Sequence, residues 1–216
     1  MAASMPPRAL HTVQGGGPMS AAGNAEQTKA RILEAAMEEF SAYGIAGARV
    51  DRIARRVGCN KNLLYIYFGN KEALFTTVLE RSLARVYEEI EFTPDDLPRY
   101  AGAVFDFAMA HPELMRLMLW SSLEQDADRV TARAEARSGK MHALSSGAAG
   151  NSGGPGFRGE FLLTAIMALA TAWSAISPFG PTLDPDAAND ADRLREDVKR
   201  AVALLSTTPG ADPTSR

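Results

Sequence analysis

Apolar side chains recur along this chain at intervals of three and four residues, the spacing that places them on one face of a helix. The clearest stripe is formed by Val50, Ile53, Ala54 and Val57, which fall at i, i+3, i+4 and i+7. No segment alternates apolar and polar residues for long enough to predict a strand, and alanine is abundant. The pattern therefore predicts an all-α protein with about nine helices.

Two short helices joined by a tight turn are predicted between residues 50 and 68. Gly58 ends the first helix, because glycine readily adopts the positive φ of a helix C-terminus. Asn60 caps the second helix through its side-chain oxygen, and Leu64 and Phe68 form its inward face. The other side chains of this second helix face outward at its N-terminal end. That arrangement is typical of a helix-turn-helix that places its second helix in the major groove.

Basic residues are concentrated in the same segment, although the whole chain carries a net charge of −3. Between residues 49 and 61 the only acid is Asp51, and the basic residues are Arg49, Arg52, Arg55, Arg56 and Lys61. A local basic patch on an acidic chain is typical of phosphate binding. The alternative for these charges alone is a solvated helix face, but the two-helix pattern and the aromatic run beside them favour DNA.

The segment from Glu26 to Leu74 resembles the DNA-binding domain of the TetR family of bacterial transcriptional regulators. The matching stretches are TKARILEAAMEEFSAYG, DRIARRVG and NKNLLYIYFGNKEALF. The most diagnostic part is Tyr65-x-Tyr67-Phe68-x-x-Lys71-Glu72-x-Leu74. This resemblance implies an N-terminal three-helix DNA-binding domain followed by a helical regulatory and dimerisation domain.

Roles for individual residues follow from the same resemblance. It implies contacts with bases or sugars by Lys61, Asn62, Leu63, Tyr65 and Ile66. It implies phosphate contacts by Tyr67 and Lys71. The chain departs from the family at Ala48, where Thr or Ser often caps the second helix and touches the DNA backbone. Either Arg49 supplies this phosphate contact or the contact is missing.

The predicted domain organisation has four parts. Residues 1–24 form a disordered tail, 25–70 the DNA-binding domain, 71–207 the effector-binding and dimerisation domain, and 208–216 a second tail. The first helix is expected to run from about Ala25 to Ala42, between a cap at Asn24 and a stop at Gly44. Its predicted inward residues are Ile32, Leu33, Ala36, Met37 and Phe40. The fourth helix, from Lys71 to Ile90, joins the two domains and is the expected mechanical link between them. A polar seventh helix at 126–146, mostly on the surface, and a glycine-rich loop at 147–159 follow later in the chain.

Residues 161–176 are almost all apolar or small, FLLTAIMALATAWSAI. A membrane span needs about 20 such residues, so a helix buried on all sides is predicted instead. A helix that is apolar all round needs cover from outside its own domain, which predicts that it and the last helix pair with their copies in a homodimer. The predicted interface residues are Leu162, Ile166, Leu169, Trp173, Leu194, Val198, Val202 and Leu205.

A small-molecule pocket is predicted in the second domain, mainly because the family's second domains generally bind effectors. Apolar and aromatic side chains on the middle helices would line it and would suit a hydrophobic or aromatic ligand. The predicted lining residues are Phe105, Met109, Met115, Met118, Trp120, Met167 and Trp173. Membership of an ordinary core is the alternative for each of them.

Other chemistry finds little support in the sequence. His11, His111 and His142 share no metal-binding spacing, so neither a metal nor another cofactor is predicted. The chain has no nucleophile elbow, and an enzyme is not expected. The single cysteine, Cys59, excludes an intrachain disulfide and fits a reducing cytoplasm.

The sequence thus predicts a cytoplasmic, homodimeric transcriptional regulator, a repressor in preference to an activator. It would bind a palindromic operator in double-stranded DNA, respond to a small effector and have no membrane partner. Two alternatives remain open. One is a helix-turn-helix protein that binds DNA without an effector. The other is a small-molecule-binding helical bundle whose basic helix pair is incidental.

Overall fold

The computed structural model describes residues 21–124, 138–144 and 157–206. All regular structure in these residues is helical, with no strand, which confirms the all-α prediction. The α-helices, in chain order, are α1 (Ala21–Gly47), α2 (Val50–Val57), α3 (Lys61–Phe68), α4 (Lys71–Glu89), α5 (Leu97–Ala110), α6 (Pro112–Glu124), α7 (138–144), α8 (Gly159–Thr171), α9 (Gly180–Leu183) and α10 (Ala191–Ser206). A short 3-10 turn at Ala187–Asn189 precedes α10.

Helix α1 is longer than predicted. It begins at Ala21, so Asn24 lies inside the helix and the prediction that it caps the N-terminus was wrong. Gly44 interrupts the helix with φ 64° and ψ −175°, close to the predicted end. The predicted inward stripe is confirmed, since Ile32, Ala36 and Phe40 are fully buried.

The first hydrophobic core lies where α1, α2, α3 and α4 meet. Phe40 and Phe75 make an edge-to-face contact at its centre, with ring centroids 5.1 Å apart. Residues of α6, among them the fully buried Leu117, belong to the same core. In addition, the indole Nε1–H of Trp120 on α6 donates to the carbonyl oxygen of Ser41 on α1 at 3.3 Å. Helix α1, which supports the helix-turn-helix, therefore packs directly on α6.

The second core is formed mainly by α5, α8 and α10. Its buried residues include Phe105, Ile166 and Val198. Val86, near the end of α4, contacts both cores, so α4 runs from one to the other. This position matches the predicted link between the domains, whereas the predicted boundary at residue 70 stays a prediction because packing continues across it.

Helix α8 is shorter than the predicted helix, since it ends at Thr171 and not at Ile176. Within the single chain one face, with Leu162, Ile166 and Ala170, is buried. The other face is open to solvent among the described residues: Phe161 is 47% exposed and Met167 is 39% exposed. Cover of this face by a second copy stays a prediction.

Some predictions concern residues that the structure does not describe. Both terminal tails, most of the glycine-rich loop and the first part of the polar seventh helix lie largely or wholly outside the described residues. The part of that helix that is described, α7, differs from the predicted surface helix. Leu144 is only 3% exposed and packs in the second core.

Candidate nucleic-acid interface

Helix α3 has the local design that its sequence predicts. The side chain of Asn60 caps it by accepting from the backbone N–H of Asn62 at 2.9 Å. Leu64, only 2% exposed, holds its inner face in the first core. Gly58, with φ 74° and ψ 35°, ends α2 and makes the turn that sets the direction of α3. Both turn predictions are confirmed.

The outer face of α3 carries polar, aromatic and aliphatic groups. Lys61 and Asn62 are exposed in its first turn. Further along, Tyr65 is 45% exposed and Ile66 is 75% exposed. An isoleucine so open to water contributes little to the core and is available to a partner, and its role in base contact stays a prediction. Leu63 is half-buried, and its role in base contact stays a prediction.

The predicted phosphate-binding residues lie around this helix. Arg49 is exposed at the N-terminus of α2, and Lys71 is half-buried in the first turn of α4. Asn70 caps α4 by accepting from the N–H of Ala73 at 2.7 Å. Anions are favoured at helix N-termini, so the start of α4 adds its dipole to the charge of Lys71.

Lys29 on α1 is a cation that the sequence analysis missed. Its Nζ lies 5.4 Å from the centroid of the Tyr67 ring and 2.8 Å from Oε1 of Glu26. The hydrogen bond and charge of Glu26 raise the pKa of Lys29. Its place beside Tyr67 depends on how α1 packs against α3, which the local sequence pattern does not reveal.

Two arginines of the predicted basic patch form ion pairs with glutamates of α1. Arg52 forms an ion pair at 2.6 Å with Glu39, whose residue is only 5% exposed, and the Glu39 hydrogen bond raises the pKa of Arg52. Arg56 pairs with Glu38. Lys61 lies 3.4 Å from Asp51, but both of these side chains are more than half exposed, so this pair gives way easily to a phosphate or base.

Glu39 takes the place of a capping side chain at residue 48, while the phosphate contact of Arg49 stays a prediction. Its carboxylate accepts from the backbone N–H of Arg49 at 2.8 Å, at the start of α2. Ala48 is buried, 5% exposed, and carries no side-chain cap. An acid from α1 therefore caps the N-terminus of α2. The side chain of Arg49 forms no ion pair with an acid of the described residues.

A cavity of about 210 Å³ lies between α1 and α2. Its lining includes Glu38, Glu39, Arg52 and Arg56, the members of both ion pairs. None of the predicted effector-pocket residues lines it.

The predicted effector-pocket residues do not come together in one place. Met115 and Met118 pack in the first core, and Trp120 contacts α1. Phe105, Met109 and Trp173 belong to the second core, and Met167 is exposed. The indole N–H of Trp173 is buried and finds no hydrogen-bond partner within the described residues. A pocket in the second core would thus involve only part of the predicted set.

The predicted dimer-interface residues are mostly internal. Five of the eight are below 9% exposed within the single chain. These five pack in the chain's own second core, and they are Leu162, Ile166, Leu194, Val198 and Val202. Their part in a dimer interface stays a prediction. Periodicity correctly found the apolar face of each helix but could not tell an internal partner from a second subunit. Leu169, Trp173 and Leu205 are half-buried beside the same core.

In residues 21–124, 138–144 and 157–206, no group of three or more His, Cys, Asp or Glu residues is placed to hold a metal ion. Within the same ranges no helix is long and apolar enough to span a bilayer.

Comparisons with known proteins match both halves of the chain. Residues 32–78 match the model described as bacterial regulatory proteins of the tetR family. Residues 96–203, half of the chain, match the tetracyclin repressor-like C-terminal domain. The second match covers helices of the second core, so the resemblance is not confined to the helix-turn-helix.

Individual relatives agree with these matches. The HTH-type transcriptional repressor SCO4008 of Streptomyces coelicolor is 44% identical over 115 residues, which cover 53% of this chain and 60% of that protein. The repressor NicS of Pseudomonas putida is 30% identical over 111 residues, 48% of this chain and 52% of its own length. The chain thus spans between half and two thirds of these curated relatives.

A solved structure aligns over more of the chain. SCO4942 of Streptomyces coelicolor, described as a transcriptional regulator, superposes with a TM-score of 0.71 and 35% identity. The alignment covers 84% of this chain and 99% of that protein. With both domain matches and this full-length likeness, the chain belongs to the TetR family of bacterial transcriptional regulators.

Proposed function

We propose that this protein is a transcriptional repressor that binds a palindromic operator as a homodimer and releases it when a small effector binds. The observation that carries the proposal is the outer face of α3, where Lys61, Asn62, Tyr65 and Ile66 are exposed on a helix whose opposite side is held by Leu64. The repressor direction is supported by the similarity to two proteins described as repressors.

In the proposed complex, α3 lies in the major groove. Lys61 suits the acceptors of guanine, while Leu63 and Ile66 suit thymine methyl groups. Tyr65 and Asn62 complete the contacts with bases or sugars. Phosphates are bound by Arg49, Tyr67 and Lys71, and these contacts provide most of the affinity and its dependence on salt. Lys29, beside Tyr67, adds a further cation.

The second domain, 71–207, is proposed to bind the effector and to form the dimer. Because the inner faces of α8 and α10 are used within the chain, the outer faces are the better candidates for the interface. They carry Phe161 and Met167 on α8 and Leu204, which is 73% exposed, on α10. Pairing these faces across a two-fold axis would form the proposed four-helix bundle.

Regulation is proposed to act through α4. Its first residue, Lys71, lies at the proposed DNA surface, and Val86 near its other end contacts the second core. An effector that prefers the conformer with α4 helices further apart would move the two recognition helices out of register with the operator. A coupling of about 1 to 3 kcal/mol is typical of such a switch. The proposed effector is hydrophobic or aromatic.

The DNA part is tested by titrating the protein against fragments that flank its own gene, at two salt concentrations and with random DNA as the control. A specific complex at least about 10³-fold tighter than random DNA and weakened by salt is expected. Lys61→Ala and Tyr65→Ala should each weaken this complex without loss of folding. Arg99→Ala, exposed in the first turn of α5, is the matched control and should bind normally. Unchanged operator binding by both α3 variants would refute the proposal.

The dimer part is tested by sedimentation with two aspartate substitutions at similarly exposed positions. Leu204→Asp should shift the protein towards monomer. Ile66→Asp, on α3, should leave the dimer intact and abolish operator binding. A Leu204→Asp protein that remains fully dimeric at micromolar concentration contradicts the proposed interface.

A further inference from the structure

Three aromatic rings surround the ammonium group of Lys140 on α7. Its Nζ lies 4.9 Å from the ring centroid of Tyr100, 5.5 Å from that of Tyr87 and 5.8 Å from that of Phe92. The same Nζ donates a hydrogen bond of 2.5 Å to the hydroxyl oxygen of Tyr100. All three distances are within the roughly 6 Å over which a cation is attracted to an aromatic ring. We call Tyr87, Phe92 and Tyr100 the aromatic box.

The aromatic box is built without any residue of α7. Tyr87 belongs to α4, Phe92 to the connection after it and Tyr100 to α5. Phe92 and Tyr100 stand nearly at right angles, with an interplanar angle of 86° and centroids 4.9 Å apart, and so form two walls of a corner. Tyr100 is 2% exposed, while Tyr87 and Phe92 are half-buried. The corner therefore persists in the fold whichever cation occupies it.

The charge of Lys140 is stabilised by aromatic rings and a hydroxyl group in place of a carboxylate. No ion pair joins it to a carboxylate of the described residues, in contrast to Lys29, Lys61 and Lys199. Burial lowers its pKa, as expected for an ammonium group removed from water. The negative faces of the rings and one phenol oxygen are the groups that stabilise it.

We propose that the aromatic box is a binding site for an organic ammonium ion, that Lys140 is its built-in occupant, and that the effector is a cation of this class that displaces Lys140. This inference rests on the proposed function and narrows its hydrophobic or aromatic effector to one that also carries an ammonium group. A metal ion would not fit, because the box offers ring faces and a single hydroxyl where a hard cation needs several oxygen ligands.

Displacement is favoured by the difference between the two cations. A quaternary ammonium carries methyl groups that contact ring faces, and it has no N–H to leave unpaired when it leaves water. The Lys140 side chain, once released, regains water and rotamer freedom. Lys140 competes with the effector for the box. The apparent affinity for the effector is therefore the intrinsic affinity multiplied by the fraction of molecules in which the box is empty.

The position of the aromatic box also connects it with the proposed regulation. Tyr87 lies two residues before Glu89, the last residue of α4, the helix whose first residue is Lys71. Tyr87 packs at the edge of the first core, whereas Phe92 and Tyr100 pack in the second. A ligand in the box would therefore contact the connecting helix and both cores directly.

The test uses choline as the probe and 3,3-dimethylbutan-1-ol, its neutral isostere, as the matched ligand, in calorimetry of the full chain without DNA. Lys140→Ala and Lys140→Met remove the occupant and should bind choline about tenfold or more tightly than the wild type does. Lys140→Arg keeps a cation in place and should bind as weakly as the wild type. The isostere should bind at least about tenfold more weakly than choline, because it lacks the charge. In the Lys140→Met background, Phe92→Leu should reverse the gain.

Melting curves establish which variants are folded, and Lys140→Met preserves the packing of the side-chain stem if Lys140→Ala does not fold. Folded Lys140 variants that bind choline no better than the wild type, or that bind both probes equally, overturn the inference. Choline binding that leaves operator affinity of Lys140→Met unchanged overturns the assignment of the box as the effector site. Absence of operator binding by every variant would refute the proposed function, while the calorimetry would still decide whether the box binds cations.

Discussion

The turn between α2 and α3 depends on the left-handed backbone of Gly58, which has φ 74° and ψ 35°. A Cβ added at this position would meet no atom within 4 Å, so Gly58→Ala introduces no clash. Its cost is therefore the conformational penalty of a left-handed residue, about 1 to 2 kcal/mol. The reduced entropy of the unfolded chain offsets about 0.4 to 1 kcal/mol of this penalty. A net loss of about 1 kcal/mol, or roughly 2 to 4 °C in melting temperature, is expected.

Urea unfolding followed by circular dichroism measures this loss as a lower midpoint with an unchanged m-value. Gly58→Asn should lose about half as much, because asparagine tolerates the left-handed region. Gly139→Ala is the matched control. Its added Cβ also meets nothing within 4 Å, but its φ is not positive and it lies in α7, so alanine should be neutral or stabilising. A Gly58→Ala protein as stable as the wild type, or a Gly58→Asn protein that loses as much as Gly58→Ala, would refute this reasoning.

Three further predictions concern single side chains. Asn60→Ala removes the cap of α3 and should lower the free energy of unfolding by about 1 kcal/mol, whereas Asn60→Ser should retain it. Glu39→Gln keeps an acceptor for the Arg49 N–H but loses the charge opposite Arg52, so melting temperatures should fall in the order wild type, Glu39→Gln, Glu39→Ala; equal values for both variants would contradict this. Burial raises the pKa of Tyr100 to about 12, so absorbance at alkaline pH should show one tyrosine ionising late, a step absent in Tyr100→Phe. The contribution of this raised pKa to folding stability is complete below about pH 10, the pKa of tyrosine in the unfolded chain, and is lost as the pH rises towards 12.

Local features of the DNA-binding half could be predicted from the sequence. Gly58 and Asn60 mark helix ends through their own backbone and side-chain chemistry, and Leu64 is identified by its spacing. Each of these signals lies within a few residues. The use of Arg52 by Glu39 could not be found in this way, because the partner lies on another helix and becomes a neighbour only when α1 packs on α2.

The second domain was harder to predict for the same reason. The apolar faces of α8 and α10 were located correctly, but the sequence could not show that Leu162 and Val198 pack in a core of the same chain, and their part in a dimer interface stays a prediction. Lys140 was part of a segment predicted to be polar and on the surface. Its environment is made by three rings between residues 87 and 100, at least 40 residues earlier in the chain, and hydropathy carries no information about them.

The packing of α1 against α6 has a consequence for protein engineering. Exchanging promoter specificity between relatives by joining the first 70 residues of one protein to the remainder of another would separate Ser41 from Trp120 and Phe40 from the core it shares with Leu117. Such a chimera would place α1 against an α6 that evolved beside a different helix. Transplanting only the outward side chains of α3 onto this scaffold leaves the contact between α1 and α6 intact. It is therefore the better route to a regulator with a new operator.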